Sequence, residues 1–196
     1  MYYSKKEVIE IQTKGLKNKQ GVLIKITDKM QKLAEDFADK YCEKHSKDLR
    51  NDNRKMKDRV ICGILGEMAA CEALGFGYNA ADTSVGEWQK YKVSDLKHLG
   101  LNVGVKTSKI GNFPLLYTNT SKTEIICVLG EKGYVWVAGV ATPDVVKNGC
   151  DDRYVKDPNI LRENSRRGWK KSAFVDFENL KDLNILYDSG FKIPSK

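Results

Sequence analysis

The stretch "EIICVLGEKGYVWVAGVA" (124–141) limits the fold more than any other part of the chain. Two apolar runs, 124–130 and 134–141, are separated by the three residues "EKG". So short a connection predicts a tight turn between antiparallel strands. Upstream, "LNVGVKTS" (101–108) alternates, with Leu101, Val103 and Val105 on one face and Asn102, Gly104 and Lys106 on the other. Together with "KVSDL" (92–96) and a turn around "KHLG", it predicts a second hairpin. "TPDVVKN" (142–148) reads as a short helix with Thr142 as N-cap and Pro143 in its first position. "SAFVDFENLKDLNIL" (172–186) reads as a strand at 173–175 followed by a short helix.

The first third of the chain is less regular. "EVIEIQ" (7–12) and "GVLIKIT" (21–27) predict two short strands joined by the polar "TKGLKNKQ". From Asp28, the residues Met30, Leu33, Ala34, Phe37, Ala38, Tyr41 and Cys42 recur at the spacing of one helical face, so a helix is expected over 28–45. A charged hinge follows at 46–57. A second helix is expected over 58–74, closed by Gly75 as C-cap. Residues 76–92 are rich in Gly, Asn and Asp and predict a loop with one irregular strand. The simplest organisation is an N-terminal strand and helix extension over 1–57 packed on a core domain over 58–196.

Composition narrows the function classes. The 196 residues carry 34 Lys and Arg against 26 Asp and Glu, a net charge of +8. That balance favours a polyanionic partner, of which nucleic acid is the commonest. Basic residues cluster in "RNDNRKMKDR" (50–59) and in "RENSRRGWKK" (162–171), where Trp169 stands among Arg166, Arg167 and Lys170. Such a mixture suits phosphate contact with base stacking. The apolar runs are too short to cross a bilayer. "MYYSKKEVIEIQ" has no apolar secretion core, so a cytoplasmic location without membrane attachment is expected. Cys42, Cys62, Cys71 and Cys127 sit at apolar positions, as buried reduced thiols do.

One acid breaks an apolar pattern. Val60, Ile64, Glu67, Cys71 and Leu74 step by four and three residues along one helical stripe, and Glu67 is its single polar member. A carboxylate facing a core is costly unless it is paired, protonated or bound to a cation. Escape to solvent and pairing with a buried base are the plainer alternatives. Gly63 and Gly66 flank it, and glycine inside a helix usually marks close packing against another element. Downstream, Asp95 and Lys106 fall on the two arms of the expected hairpin. Carboxylates with a nearby lysine suit phosphodiester hydrolysis, the acids holding Mg²⁺ and the lysine orienting the nucleophile.

The order "GILGEMAACEALGF … SDLKHLGLNVGVKTS … EIICVLGEKGYVWVAGVATPD" resembles the core of the PD-(D/E)XK nuclease superfamily over roughly residues 58–148. The resemblance implies an α/β fold of restriction-endonuclease type. Its α-β-β-β-α-β core would be a mixed central sheet flanked by helices. It implies a Mg²⁺-dependent endodeoxyribonuclease, with Mn²⁺ as a substitute, acting on double-stranded or branched DNA. Asp95 matches the first acid of the motif, Lys106 its lysine, and Glu67 the extra acid that some families carry on the first helix. The backbone carbonyl of Val105 matches a frequent metal ligand. Arg54, Lys57 and Lys109, with Arg166, Arg167, Trp169 and Lys170, are the expected DNA contacts. A homodimer is a further expectation, with the helix over 28–45 as its candidate surface.

Gly104 departs from the motif, standing where a second acid is expected. Two outcomes follow. Glu67 reaches from the helix into the space that glycine leaves open. Otherwise the site is degenerate, and the protein binds nucleic acid or regulates without cutting.

Overall fold

The computed structural model describes residues 2–18, 20–45, 53–86, 93–114, 116–117, 121–149, 151–154, 171–172 and 174–188. The expected central hairpin forms from β4 (Thr123–Leu129) and β5 (Tyr134–Ala141), antiparallel, with Leu129 opposite Val135. Both strands are apolar on both faces because both faces are covered. Ile125, Cys127 and Val137 pack with Ile64, Met68 and Cys71 of α3 (Asn53–Ala73). Ile126, Val128 and Trp136 point the other way, into a second cluster with Val8, Phe174 and Phe177. The period of two along each strand separates these cores.

Two further strands complete an open, mixed sheet of order β1-β5-β4-β2. β1 (Val22–Lys25) pairs antiparallel with β5, and β2 (Val103–Lys109) pairs parallel with β4. Parallel neighbours require a crossover. Here residues 110–122 supply it, and on the way β3 (Leu116–Tyr117) pairs with β6 (Lys171–Ser172) in a separate ribbon. α2 (Asp28–Lys44), capped by the Thr27 side chain, packs with α3 on one face. α4 (Pro143–Asn148) opens as expected, the Thr142 hydroxyl accepting from Val145 N–H. A short α5 (Ile185–Asp188) ends the described chain. Among the described residues no helix is long and apolar enough to cross a membrane.

The α/β expectation of a mixed sheet flanked by helices therefore holds, but four local readings are corrected. Residues 7–12 are not a strand; they belong to the helix α1 (Lys5–Lys17). Ser4 accepts from Glu7 N–H, and the Glu7 carboxylate accepts from Ser4 N–H, a capping box that outweighs the β-branched residues of "EVIEIQ". Residues 53–57, expected in the charged hinge, are helical, since α3 starts at Asn53; the rest of that stretch lies outside the described residues. Residues 93–96 are not a strand, so "KVSDL" and β2 do not form a hairpin. Of the strand expected at 173–175, residue 173 lies outside the described residues and Val175 forms only a bridge; a short strand, β6, lies just before it, and Phe177–Asn179 is a single 3₁₀ turn.

α3 ends where Gly75 takes a left-handed conformation, φ 81°. Its two interior glycines differ. A Cβ on Gly66 would lie 1.7 Å from Thr107 Oγ1, so this residue lets helix and sheet approach closely, whereas Gly63 faces open space. Cys127 Sγ lies 3.7 Å from the Gly66 carbonyl oxygen at the same crossing.

Candidate active site

Lys106 and Gly104 lie on the face of β2 that points away from α3, because Val103, Val105 and Thr107 take the face toward it. β2 is an edge strand, so one side of its backbone is open to partners other than β4. A turn over residues 94–100 occupies part of that edge. Leu96 N–H donates to the Val103 carbonyl at 3.0 Å, and Val105 N–H donates to Asp95 Oδ2 at 2.6 Å. The Asp95 side chain thus replaces the backbone carbonyl that a hairpin partner would have offered. Gly100, left-handed at φ 83°, closes the turn after the 3₁₀ residues Lys97–Leu99.

Glu124 occupies the space beside Gly104. The parallel register sets these two residues side by side. A Cβ on Gly104 would stand 2.0 Å from Glu124 Oε2, so the vacancy is filled from the neighbouring strand. The Glu67 reading is corrected accordingly. Glu67 projects from α3 on the opposite side of the sheet, and its charge bears on the thiols of Cys71 and Cys127. What Glu67 shares is a small cavity of about 110 Å³, whose wall includes Asp82, Ser94, Asp95, Lys97 and His98. The structure therefore brings Glu67 toward Asp95 and leaves Gly104 to Glu124.

Glu124 is only 8% exposed. Oε1 lies 3.9 Å from Lys106 Nζ, and Oε2 is buried with no hydrogen-bond partner. Burial raises its pKa above the usual carboxylate range; Lys106 opposes that shift and Asp95 adds to it. Lys122 adds a second opposing charge, and burial outweighs both lysines. Carboxylates such as Asp95 and Glu124 are the donors a hard cation would use. Among the described residues no three His, Cys, Asp or Glu side chains stand together around one ion. Mg²⁺ needs fewer, since it binds through one or two carboxylates and retains several waters.

Glu124 had a signal in the sequence. It is the one carboxylate in "EIICVL", and it shares the alternation of Ile126 and Val128. What the sequence lacked was the parallel pairing that sets it beside Gly104. The expected DNA contacts are scattered. Lys57 is ion-paired with Asp39, and Lys109 Nζ lies 3.8 Å from Asp58 Oδ2. Arg54 falls in the first turn of α3, and Arg166, Arg167, Trp169 and Lys170 lie outside the described residues. Of the cysteines, Cys62, Cys71 and Cys127 are buried and unbridged. Burial pushes the Cys71 thiol up to about 12, so it stays protonated and unreactive. Comparison with protein-family models, with curated proteins and with solved structures returns no match.

Proposed function

We propose that this chain is a Mg²⁺-dependent nuclease of the PD-(D/E)XK type, cutting DNA, whose second acid comes from the adjacent strand. One observation carries the reading. Glu124 fills the space over Gly104, 3.9 Å from Lys106, and holds a buried carboxylate oxygen that lacks a partner. Asp95 and Glu124, with the Val105 carbonyl, are the oxygen ligands assigned to Mg²⁺ or Mn²⁺, hard cations that prefer such donors. The bound ion would lower the pKa of a water and neutralise the scissile phosphate. Lys106, its side chain 39% exposed, reaches solvent and substrate while its base stays on the site's face. Its charge orients the attacking water and offsets negative charge as the phosphate is attacked. Asp95 keeps one oxygen on Val105 N–H, which fixes the direction of the other. Glu67, in the cavity beside Asp95, is the next acid in order and matters less than Glu124.

The restriction-endonuclease-like core belongs to the same proposal. α3 laid across the sheet and a lysine on an edge strand support it. The 94–100 turn would stand in for the first strand of the usual acid-bearing hairpin. A second reading, a DNA-binding or regulatory protein on this fold that does not cut, is favoured by the absence of a three-acid cluster among the described residues.

The test incubates plasmid and branched DNA with the protein in Mg²⁺, Mn²⁺ or EDTA. Cutting that needs the metal and falls by about 100-fold or more in both Glu124→Gln and Lys106→Ala supports the nuclease. DNA that is retarded but intact under every condition supports the second reading and sinks the first.

A further inference from the structure

We infer that Asn102 is a positioning residue for Asp95, acting through the hydroxyl of Ser94. Asp95 belongs to neither a helix nor a strand, so its direction is set by how the 94–100 turn is fastened. Two fastenings lie along the edge of β2, from Leu96 N–H to the Val103 carbonyl and from Val105 N–H to the Asp95 carboxylate. Past the acid the turn is also anchored by Leu96, fully buried in the core, and by His98 Nε2, 2.7 Å from the Ala80 carbonyl oxygen. Before the acid, one residue away, Ser94 Oγ donates to Asn102 Oδ1 at 2.7 Å. Ser94 is only 4% exposed, and a hydroxyl so buried needs a partner. Asn102 supplies it from an exposed position.

Asn102 shares the strand alternation of Gly104 and Lys106. The latch therefore ties the acid-bearing turn to the residue that leads into β2. An amide gives the acceptor oxygen without adding a negative charge beside Asp95 and Glu124. Groups that orient a ligand side chain in this way typically change cation affinity or activity by about 10- to 100-fold when removed. The functional consequence rests on the nuclease reading, but the positioning itself does not.

Residue-resolved hydrogen exchange in the metal-free protein tests the positioning directly. In Asn102→Ala, exchange at Val105 N–H should rise by about tenfold or more while Ile125 and Cys127 in the neighbouring strand keep their protection. Asn102→Asp, which keeps an acceptor at the same place, should retain Val105 protection. In cleavage assays, Asn102→Ala should raise half-saturating Mg²⁺ by about 10-fold or more and leave KM for DNA unchanged. Unchanged exchange at Val105, or a uniform rise across β2 and β4, would overturn the inference. A selective rise at Val105 in a wild-type protein that never cuts DNA leaves the positioning standing and removes the nuclease reading.

Discussion

In the proposed site, the pairing of Gly104 with Glu124 divides the work of one position between two strands. Glycine gives up its side chain, and the neighbour puts a carboxylate there. In Gly104→Ala the new Cβ collides with that carboxylate, and metal-dependent cutting is expected to fall by about 10-fold or more. The exchange Gly104→Glu with Glu124→Gly returns an acid to the same volume and should recover part of the loss; a pair no better than Gly104→Ala would refute the shared-site view. Glu124 also makes a pH statement. Its folded pKa is raised, chiefly by burial, so the folded state binds more protons than the unfolded one. Its stabilising effect is complete below the unfolded carboxylate range and is lost as pH climbs through the raised value. Without divalent metal, Glu124→Gln should therefore gain melting temperature relative to wild type at pH 8, with the gain shrinking toward pH 4.

Among the elements, α3 bears the most on the site, because its crossing over β2 fixes the strand that carries Lys106. Its two glycines predict opposite outcomes. Gly66→Ala drives a Cβ into Thr107, an overpacking that costs about 1–3 kcal/mol against the ~1 kcal/mol that helix propensity returns. Gly63→Ala meets open space and should stabilise by up to about 1 kcal/mol. Denaturant midpoints of the two variants, moving in opposite directions, would verify the crossing. α1 holds the turn that follows β2 by a different means. Gln12, fully buried, donates from Nε2 to the Asn112 carbonyl and accepts from Gly111 N–H, both at 2.8 Å. Gln12→Leu leaves Gly111 N–H unpaired and the Asn112 carbonyl to the Ser108 hydroxyl alone, and should cost about 1–3 kcal/mol in chemical denaturation.

At the scale of the molecule, the net charge of +8 predicts an electrostatic component to any nucleic-acid binding. Retention of DNA should weaken steeply between about 50 and 200 mM salt, whichever reading of the site holds. Lys57 and Lys109 already face acids, so neutralising either should change that salt dependence little. Affinity measured across the salt range for wild type, Lys57→Gln and Lys109→Gln checks this.

The sequence by itself determined which segments are apolar and with what period, and hence the β4–β5 hairpin, the helical stripe around Glu67 and the face that Lys106 takes. A three-residue turn leaves its strands one arrangement, and a period of 3.6 or 2 is written in consecutive residues. It also carried the capping box of α1 in "SKKE", a local signal set against equally local β-branched residues. Tertiary structure alone decided which strands became neighbours. Nothing in "LNVGVKTS" states that β2 lies parallel to β4, or that Gly104 meets Glu124 twenty residues on. That register is a long-range choice, made by a crossover and two covered faces, and it set Glu124, not Glu67, in the space beside Gly104.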